Sequence, residues 1–144
     1  MEVLNTILKK NGFQKPDRIK HFTLKIYDDS DFKDLFSLFD RVFPGYMSKE
    51  LFYWKDKQSP FGKKIILLLY DKDKLISAYN MEPKEFFVNG EKVACIQSLD
   101  TMTDAKYRGL GIISYMGRVA YEYVKQLNFK FVYGFPNKLI YRLR

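Results

Sequence analysis

The sequence predicts one α+β domain in which helices flank a mixed, mainly antiparallel sheet. The chain has 144 residues, a length typical of one domain, and its hydrophobic content of 47% is enough for a sizeable core. Strand-like segments follow one another through tight turns in the middle of the chain. Helical patterns lie on both sides of that region, and no repeat or linker divides residues 1–144.

The first third of the chain is predicted to alternate between helix and strand. Apolar residues at helical spacing predict a short amphipathic helix over Met1–Lys10. Alternating apolar and polar residues predict a first strand over Phe22–Ile26. A long apolar face predicts a helix over Phe32–Phe43, which Pro44-Gly45 ends. Ser48 then caps a second short helix.

The middle of the chain predicts three antiparallel strands. Lys63–Asp71 carries a continuous apolar run, which is typical of a strand buried on both faces. A polar turn leads into a second strand over Leu75–Met81, and strand character continues over Glu85–Val88. Asn89-Gly90 is a strong hairpin signal, so Lys92–Thr103 is predicted to be the returning strand.

The last third is predicted to be a helix, a strand and the start of another helix. Apolar residues at helical spacing predict a helix over Gly111–Gln126. Phe129–Tyr133 is predicted to be a strand, and Gly134-Phe135-Pro136-Asn137 turns the chain into a new helix. Without a further neighbour, that strand would be an exposed edge through which two copies could associate as a homodimer.

Composition narrows the class of protein. The net charge of +8 suits an anionic partner, but the lysines are spread along the chain, which is typical of solvated surfaces and not of a nucleic-acid interface. With Cys95 as the one cysteine and His21 as the one histidine, we expect no disulfide and no metal. No apolar run approaches the length of a membrane span, and we expect a cytoplasmic protein without membrane or nucleic-acid partners.

The segment from Leu99 to Ile113 carries the predicted chemistry. A strand leads into a turn with two glycines and then into a helix, so backbone N–H groups converge at a positive helix end. Gly109 and Gly111 let the backbone approach a ligand closely, and Arg108 adds a fixed charge. This arrangement predicts a site for a diphosphate. The antiparallel approach and the missing third glycine argue against a dinucleotide-binding Rossmann motif.

The stretch Met102–Ile113 resembles the acyl-coenzyme-A signature of the GNAT superfamily of N-acyltransferases, Arg/Gln-x-x-Gly-x-Gly/Ala. Arg108 matches its first position and Gly111 its fourth, whereas Ile113 occupies the sixth, where Gly or Ala is usual. The order of elements is also similar to that of the family. The resemblance covers Phe22–Asn137, and two short stretches within it, around Trp54 and at the turn before Asn137, resemble a subgroup of bacterial acyltransferases.

The resemblance implies transfer of an acetyl group from acetyl-CoA, used as co-substrate without a metal, to a primary amine by direct attack. The pantetheine arm would pair with the end of the returning strand, and the pyrophosphate would meet the amides of the turn and helix. The sheet would open between that strand and Phe129–Tyr133. The implied cofactor-binding residues are Thr101, Met102, Thr103, Arg108, Gly109, Leu110, Gly111, Ile112, Ile113, Ser114 and Asn137.

Catalytic roles follow from the same resemblance. Asp100 is the first candidate for the general base, with Glu82 second, because amine attack on a thioester requires loss of a proton. The backbone N–H of Met102 is a candidate donor to the developing oxyanion. Tyr141 is a candidate acid for the thiolate, with core packing as its alternative role. A small molecule or an amino sugar is favoured over a protein as the acceptor.

The resemblance also implies that part of the domain is missing. A complete GNAT domain would continue after Asn137 with a helix and two further strands, whereas seven residues remain here, from Lys138 to Arg144. This expectation, together with Ile113, keeps a second function open: a non-catalytic module that binds acyl-CoA or a partner. A basic nucleic-acid binder is the third and weakest alternative.

Overall fold

The computed structural model describes residues 2–58, 60 and 62–136, and its helices and strands follow the predicted order. Three 3-10 turns connect them, at Asp17–Ile19, Asp29–Asp31 and Ala105–Tyr107. The helices and strands are α1 (Glu2–Leu8), β1 (Thr23–Ile26), α2 (Phe32–Val42), α3 (Lys49–Lys57), β2 (Ile65–Asp71), β3 (Lys74–Val88), β4 (Glu91–Thr103), α4 (Ile112–Gln126) and β5 (Val132–Tyr133).

The five strands form one sheet in the order β1-β2-β3-β4-β5. Strands β1 to β4 are antiparallel to one another in successive pairs, and β5 runs parallel to β4. This parallel pair needs a crossover connection, which α4 provides. The predicted α+β class with a mixed, mainly antiparallel sheet is therefore confirmed.

Helices cover both faces of the sheet, and this explains the continuous apolar run of β2. Leu67 and Leu69 pack with α1 and α4 on one face, which we call the α4 face. Ile66 and Leu68 pack with α2 and α3 on the other, which we call the α2 face. All four side chains are almost completely buried, and each such burial stabilises the fold by roughly 1.5–3 kcal/mol.

Strand β3 is continuous, although two separate segments were predicted within it. Pro83 lies in the gap between those segments, and a proline normally disrupts a central strand because it lacks an N–H group. Here β2 pairs with β3 only as far as Met81, so β3 is an edge strand on that side at Pro83. The strand therefore continues through the proline while pairing with Ile96 of β4.

The predicted ends of several other elements were wrong. The strand predicted over Phe129–Tyr133 has only two residues, because the preceding chain makes isolated backbone bonds to β4 and no regular ladder. Helix α1 ends at Leu8, two residues early, and helix α4 begins at Ile112, because Gly111 has the left-handed conformation of a cap. The Ser48 cap is confirmed, since its hydroxyl accepts from the Leu51 N–H at 3.2 Å.

A β-bulge in β4 was not predicted. Leu99 pairs with Asn80 and Met102 pairs with Ala78, so two residues of β4 face one residue of β3 between these pairs. Asp100 lies in the bulge with φ of +46°. The Asn80 side-chain amide donates to the Asp100 carbonyl at 2.6 Å and holds this conformation. Bulges bend a strand and redirect its side chains, and this one precedes the glycine-containing turn.

Candidate functional site

The turn between β4 and α4 adopts the backbone that its glycines predict. Gly109 and Gly111 have φ values of +81° and +78°, in a region that residues with a Cβ rarely adopt. A Cβ placed on either glycine would meet no atom within 4 Å among the described residues. The glycines are therefore needed for backbone conformation, and the space beside them is open to a ligand.

The first turn of α4 presents backbone N–H groups to that space. Gly111 is the N-cap, and within the described chain no side chain accepts from the first amides of the helix. The first helical hydrogen bond runs from the Tyr115 N–H to the Gly111 carbonyl, at 3.0 Å. The amides of residues 111–114 therefore precede this first bond, at the helix end that carries about half a positive charge.

Arg108 is placed at the rim of this turn. Its side chain is exposed, and its Nε donates to the carbonyl of Thr103 at 3.2 Å, which anchors the guanidinium to the end of β4. Ser114 and both glycines are exposed beside it. These groups provide a positive charge and free N–H donors on one surface, which is the chemistry that binds a diphosphate.

The apolar residues of the signature face the core. Ile112 is buried in the cluster of the α4 face, and Leu110 and Ile113 pack against it. The Ile113 side chain, which replaces the usual Gly or Ala, therefore contributes to the core. Ile112 can therefore make the cofactor contacts that the resemblance implies only through its backbone, whereas Leu110 and Ile113 are partly exposed.

The sheet opens beside the turn, as predicted. β4 and β5 are paired only at Ile96 with Val132 and at Gln97 with Tyr133. Beyond Gln97, β4 has no paired residue on β5 within the described part of the chain. We call this opening the wedge. The bulge at Asp100 lies on its β4 side.

The wedge contains a buried hydroxyl that makes no hydrogen bond with the described residues. Thr101 is 9% exposed, and its Oγ1 is without a donor or acceptor there. The hydroxyl of Thr103, in contrast, lies 2.9 Å from the hydroxyl of Ser77, which also donates to the Met102 carbonyl at 2.8 Å. Because buried polar groups are almost always paired, the Thr101 hydroxyl has an unmet hydrogen-bonding capacity among the described residues.

The side chain of Asp100 contacts helix α3. Its carboxylate pairs with the Lys55 ammonium, and both side chains are about one quarter exposed. Glu82, the second candidate base, is 7% exposed on β3 and pairs with Lys84 at 3.1 Å. The sequence analysis missed Lys55, because 45 residues separate it from Asp100 and no local pattern joins them.

Further charged groups lie between α3 and the sheet. The Tyr27 hydroxyl donates to Asp56 at 2.7 Å, and burial, followed by this bond, raises the pKa of Tyr27. Burial lowers the pKa of Lys64, against the attraction of Asp56 and Glu82. The sequence analysis gave these residues no role, and their bonds fix α3 against the sheet.

A cavity of about 360 Å³ opens from the wedge on the α2 face. One wall is β4 around the bulge, from Gln97 to Thr101, and the opposite wall comes from α2 and the loop after it. Phe135 and Pro136, just after β5, complete the lining. Helix α4, with its uncapped amides, packs on the α4 face of the sheet, and the cavity opens on the α2 face.

Two predicted site residues fall outside the described chain. Asn137 was predicted to bind the cofactor and Tyr141 to act as an acid, and both lie beyond residue 136. The structure brings together the other predicted residues, from Asp100 to Ser114, at the strand end, the turn and the start of α4.

Residues 23–143 match a family profile described as the acetyltransferase (GNAT) domain. The chain belongs to the GNAT acetyltransferase family. A search of curated proteins finds no match at significant similarity. None of the helices within the described ranges is long and apolar enough to cross a membrane.

Solved structures share the GNAT fold at low sequence identity. A GNAT family acetyltransferase from Staphylococcus aureus is 17% identical, with a TM-score of 0.63 over 82% of this chain and 88% of its own. AAC(6')-Iy, solved with a bisubstrate analogue of CoA and acetylneamine, is 11% identical, with a TM-score of 0.65 over 85% and 86%. Glucosamine-6-phosphate N-acetyltransferase from Arabidopsis thaliana is 13% identical, with the same TM-score and coverage.

Proposed function

We propose that this GNAT protein transfers an acetyl group from acetyl-CoA to the primary amine of a small molecule. The observation that carries the proposal is the uncapped start of α4, where open space meets the amides of residues 111–114 beside two left-handed glycines. Amides at a helix N-terminus bind phosphate, and CoA carries a diphosphate. The solved relative with a CoA-based bisubstrate analogue supports the same assignment.

The residues of the wedge fit the rest of the cofactor. Arg108 would meet the phosphates with its charge, and the backbone of β4 beyond Gln97 is free of β5 pairing and available to the amides of the pantetheine arm. The Thr101 hydroxyl offers a further hydrogen bond inside the wedge. Acetyl-CoA supplies the thioester that the amine attacks.

The cavity on the α2 face is the proposed entrance for the amine. With cofactor and amine on opposite faces, the amine nitrogen meets the thioester carbon within the wedge. A C–N bond forms, the C–S bond breaks, and CoA leaves as a thiolate that takes up a proton from solvent. Asp100, in the cavity wall, is the proposed acceptor of the amine proton, once the amine displaces Lys55 from the carboxylate. Most of the acceleration would come from holding the two reactants together.

Thiol release in the presence of acetyl-CoA and a panel of amines tests this proposal. We expect Asp100→Asn to lower kcat by about a hundredfold, the typical contribution of a general base, without changing CoA affinity. Asparagine tolerates a positive φ, so this variant retains the bulge. Glu82→Gln is the matched comparison, and a larger loss of kcat there would assign the base to Glu82.

A non-catalytic acyl-CoA-binding module is the second candidate. The ion pair between Asp100 and Lys55 favours it, because a carboxylate that keeps a lysine partner is a poor base. Calorimetry with CoA and the thiol-release assay together separate the two. CoA binding without thiol release for any amine would support the binding module, whereas the absence of CoA binding would refute both.

A further inference from the structure

The cavity on the α2 face has an aromatic wall. Phe39, Phe43 and Tyr46 pack against one another with ring centroids 5.3–6.3 Å apart. Phe39 is 1% exposed at the base of the wall, whereas Tyr46 is 74% exposed. Phe135, 85% exposed, lies on the β5 side of the same cavity. The two exposed rings would gain contact area with any flat ligand that enters between them.

The charge of the cavity is unusual for a site that receives a cation. Asp100 is the only carboxylate among the described residues that line it, and it already pairs with Lys55. The protein as a whole carries a net charge of +8. A ligand with several ammonium groups needs several carboxylates for electrostatic complementarity, and a positive protein slows its approach. The cavity therefore suits a ligand with one ammonium group and does not suit a ligand with several.

We infer that the acceptor is a primary amine attached to an aromatic body, with a single positive charge. The inference rests on the proposed function and narrows its substrate class. The ring would lie against Tyr46 and Phe135, and the amine would point to the bulge. There it meets the Asp100 carboxylate. Among the described lining residues, a polycationic amino sugar would find one carboxylate for its several ammonium groups.

Amine binding tests the inference without relying on turnover. The protein is saturated with CoA and titrated calorimetrically with phenethylamine, with neamine and with glucosamine 6-phosphate. We expect phenethylamine to bind at least about tenfold more tightly than either amino sugar, since the contacts with the aromatic rings are present only for it. Equal or tighter binding of an amino sugar, or no binding of phenethylamine, overturns the inference.

Substitutions at the cavity mouth locate the ring. We expect Tyr46→Ala and Phe135→Ala each to weaken phenethylamine about three- to tenfold, the value of one aromatic contact, and Tyr46→Phe to bind normally. Phe87→Ala is the matched control, because Phe87 is 75% exposed near the far hairpin and does not line the cavity. Unchanged affinity in both alanine variants at the mouth would place the ring elsewhere and refute the inference.

The same titrations distinguish failure of the inference from failure of the proposed function. If CoA does not bind, the proposed acetyl transfer fails, and titration of the free protein with the three amines still compares their affinities. If CoA binds and thiol is released with an amino sugar but not with phenethylamine, the proposed function stands and the inference is wrong.

Discussion

Gly111 and Gly90 both have the left-handed backbone conformation, but they lie in different parts of the fold. A comparison of their variants therefore distinguishes effects on folding from effects on ligand binding. Both have φ near +80°, at +78° and +85°, and an added Cβ would meet nothing within 4 Å. Gly111 caps α4 at the candidate cofactor site, whereas Gly90 turns the hairpin between β3 and β4. Strain should therefore be equal in the two alanine variants, and only one of them should affect a ligand.

We expect Gly111→Ala and Gly90→Ala each to lower the free energy of unfolding by about 1–2 kcal/mol, the cost of a Cβ in the left-handed region. Gly111→Ala should also weaken CoA about tenfold or more, because its methyl group enters the space beside the amides. Calorimetry and urea unfolding measure the two effects. Equal CoA affinity in both variants would remove the turn from the cofactor site.

Asp104 stabilises the end of β4 through charge. Its carboxylate accepts from Lys74 at 2.8 Å and from the Lys106 N–H at 3.2 Å, and Arg41 lies 3.5 Å away. The bond from Lys74 is the main cause that lowers the pKa of Asp104 below its usual 3.8, with burial acting in the opposite direction. Because the folded pKa is the lower one, this stabilisation is complete above the unfolded pKa and is lost as the pH falls through the folded pKa.

Asp104→Asn is expected to lower the free energy of unfolding by about 1–2 kcal/mol at neutral pH. The difference from the wild type should shrink below about pH 4, where the unfolded and then the folded carboxyl become protonated. Asp40→Asn, at an exposed position on α2, is the control and should change little at any pH. Urea unfolding across the acid range measures both, and a difference that stays constant into acid would contradict this role.

At the scale of the element, α4 contains an avoidable weakness. Gly117 lies in the middle of the helix, where a Cβ would meet the Tyr79 ring at 3.4 Å, an ordinary contact. Gly117→Ala is therefore expected to raise the free energy of unfolding by about 0.5–1 kcal/mol, through lower backbone entropy in the unfolded chain. Gly117→Leu should destabilise the fold, because its side chain would displace Tyr79. Thermal unfolding compares the two, and destabilisation by alanine would show that the ring cannot adjust.

Local apolar patterns in the sequence predicted the helices and strands. Contacts between elements that are distant in the chain were not predicted. The apolar spacing of α2 predicted a helix with one buried face, and the apolar run of β2 predicted a strand buried on both faces. The bulge at Asp100 was missed, since it arises from pairing with β3 and from the Asn80 bond, and no local glycine marks it. The partnership of Asp100 with Lys55 was missed for the same reason: α3 is joined to β4 only by tertiary packing.

At the scale of the whole molecule, the wedge connects the sheet to the proposed chemistry. Among the described residues, two pairs join β4 to β5, whereas β3 and β4 are paired along most of their length. The sequence predicted this opening through the family resemblance, because no residue pattern encodes where two strands separate. The walls of the cavity come from α2, β4 and the chain after β5, so its aromatic character appears only in the assembled fold.

Hydrogen exchange tests the wedge as a unit. Addition of CoA should slow exchange of the amides of residues 111–114 and of Thr101 to Thr103 by about tenfold or more, since a bound ligand protects the groups it contacts. Amides of the hairpin turn at Asn89-Gly90, remote in the chain from the wedge, provide the internal control. Protection at the hairpin without protection at α4 would place the coenzyme elsewhere.

Removal of the extra residue in β4 would not turn the neighbouring side chains to the opposite faces of the sheet. Deletion of Asp100 would set Thr101 against Tyr79 in a regular ladder, with Leu99 still opposite Asn80 and Met102 still opposite Ala78. Ile96 and Met102 would then keep their present sides, and a left-handed residue would disappear. Because the sheet has no need of this insertion, we propose that its cost in backbone strain serves the proposed ligand site. The variant that lacks Asp100 would therefore separate the requirements of folding from those of function.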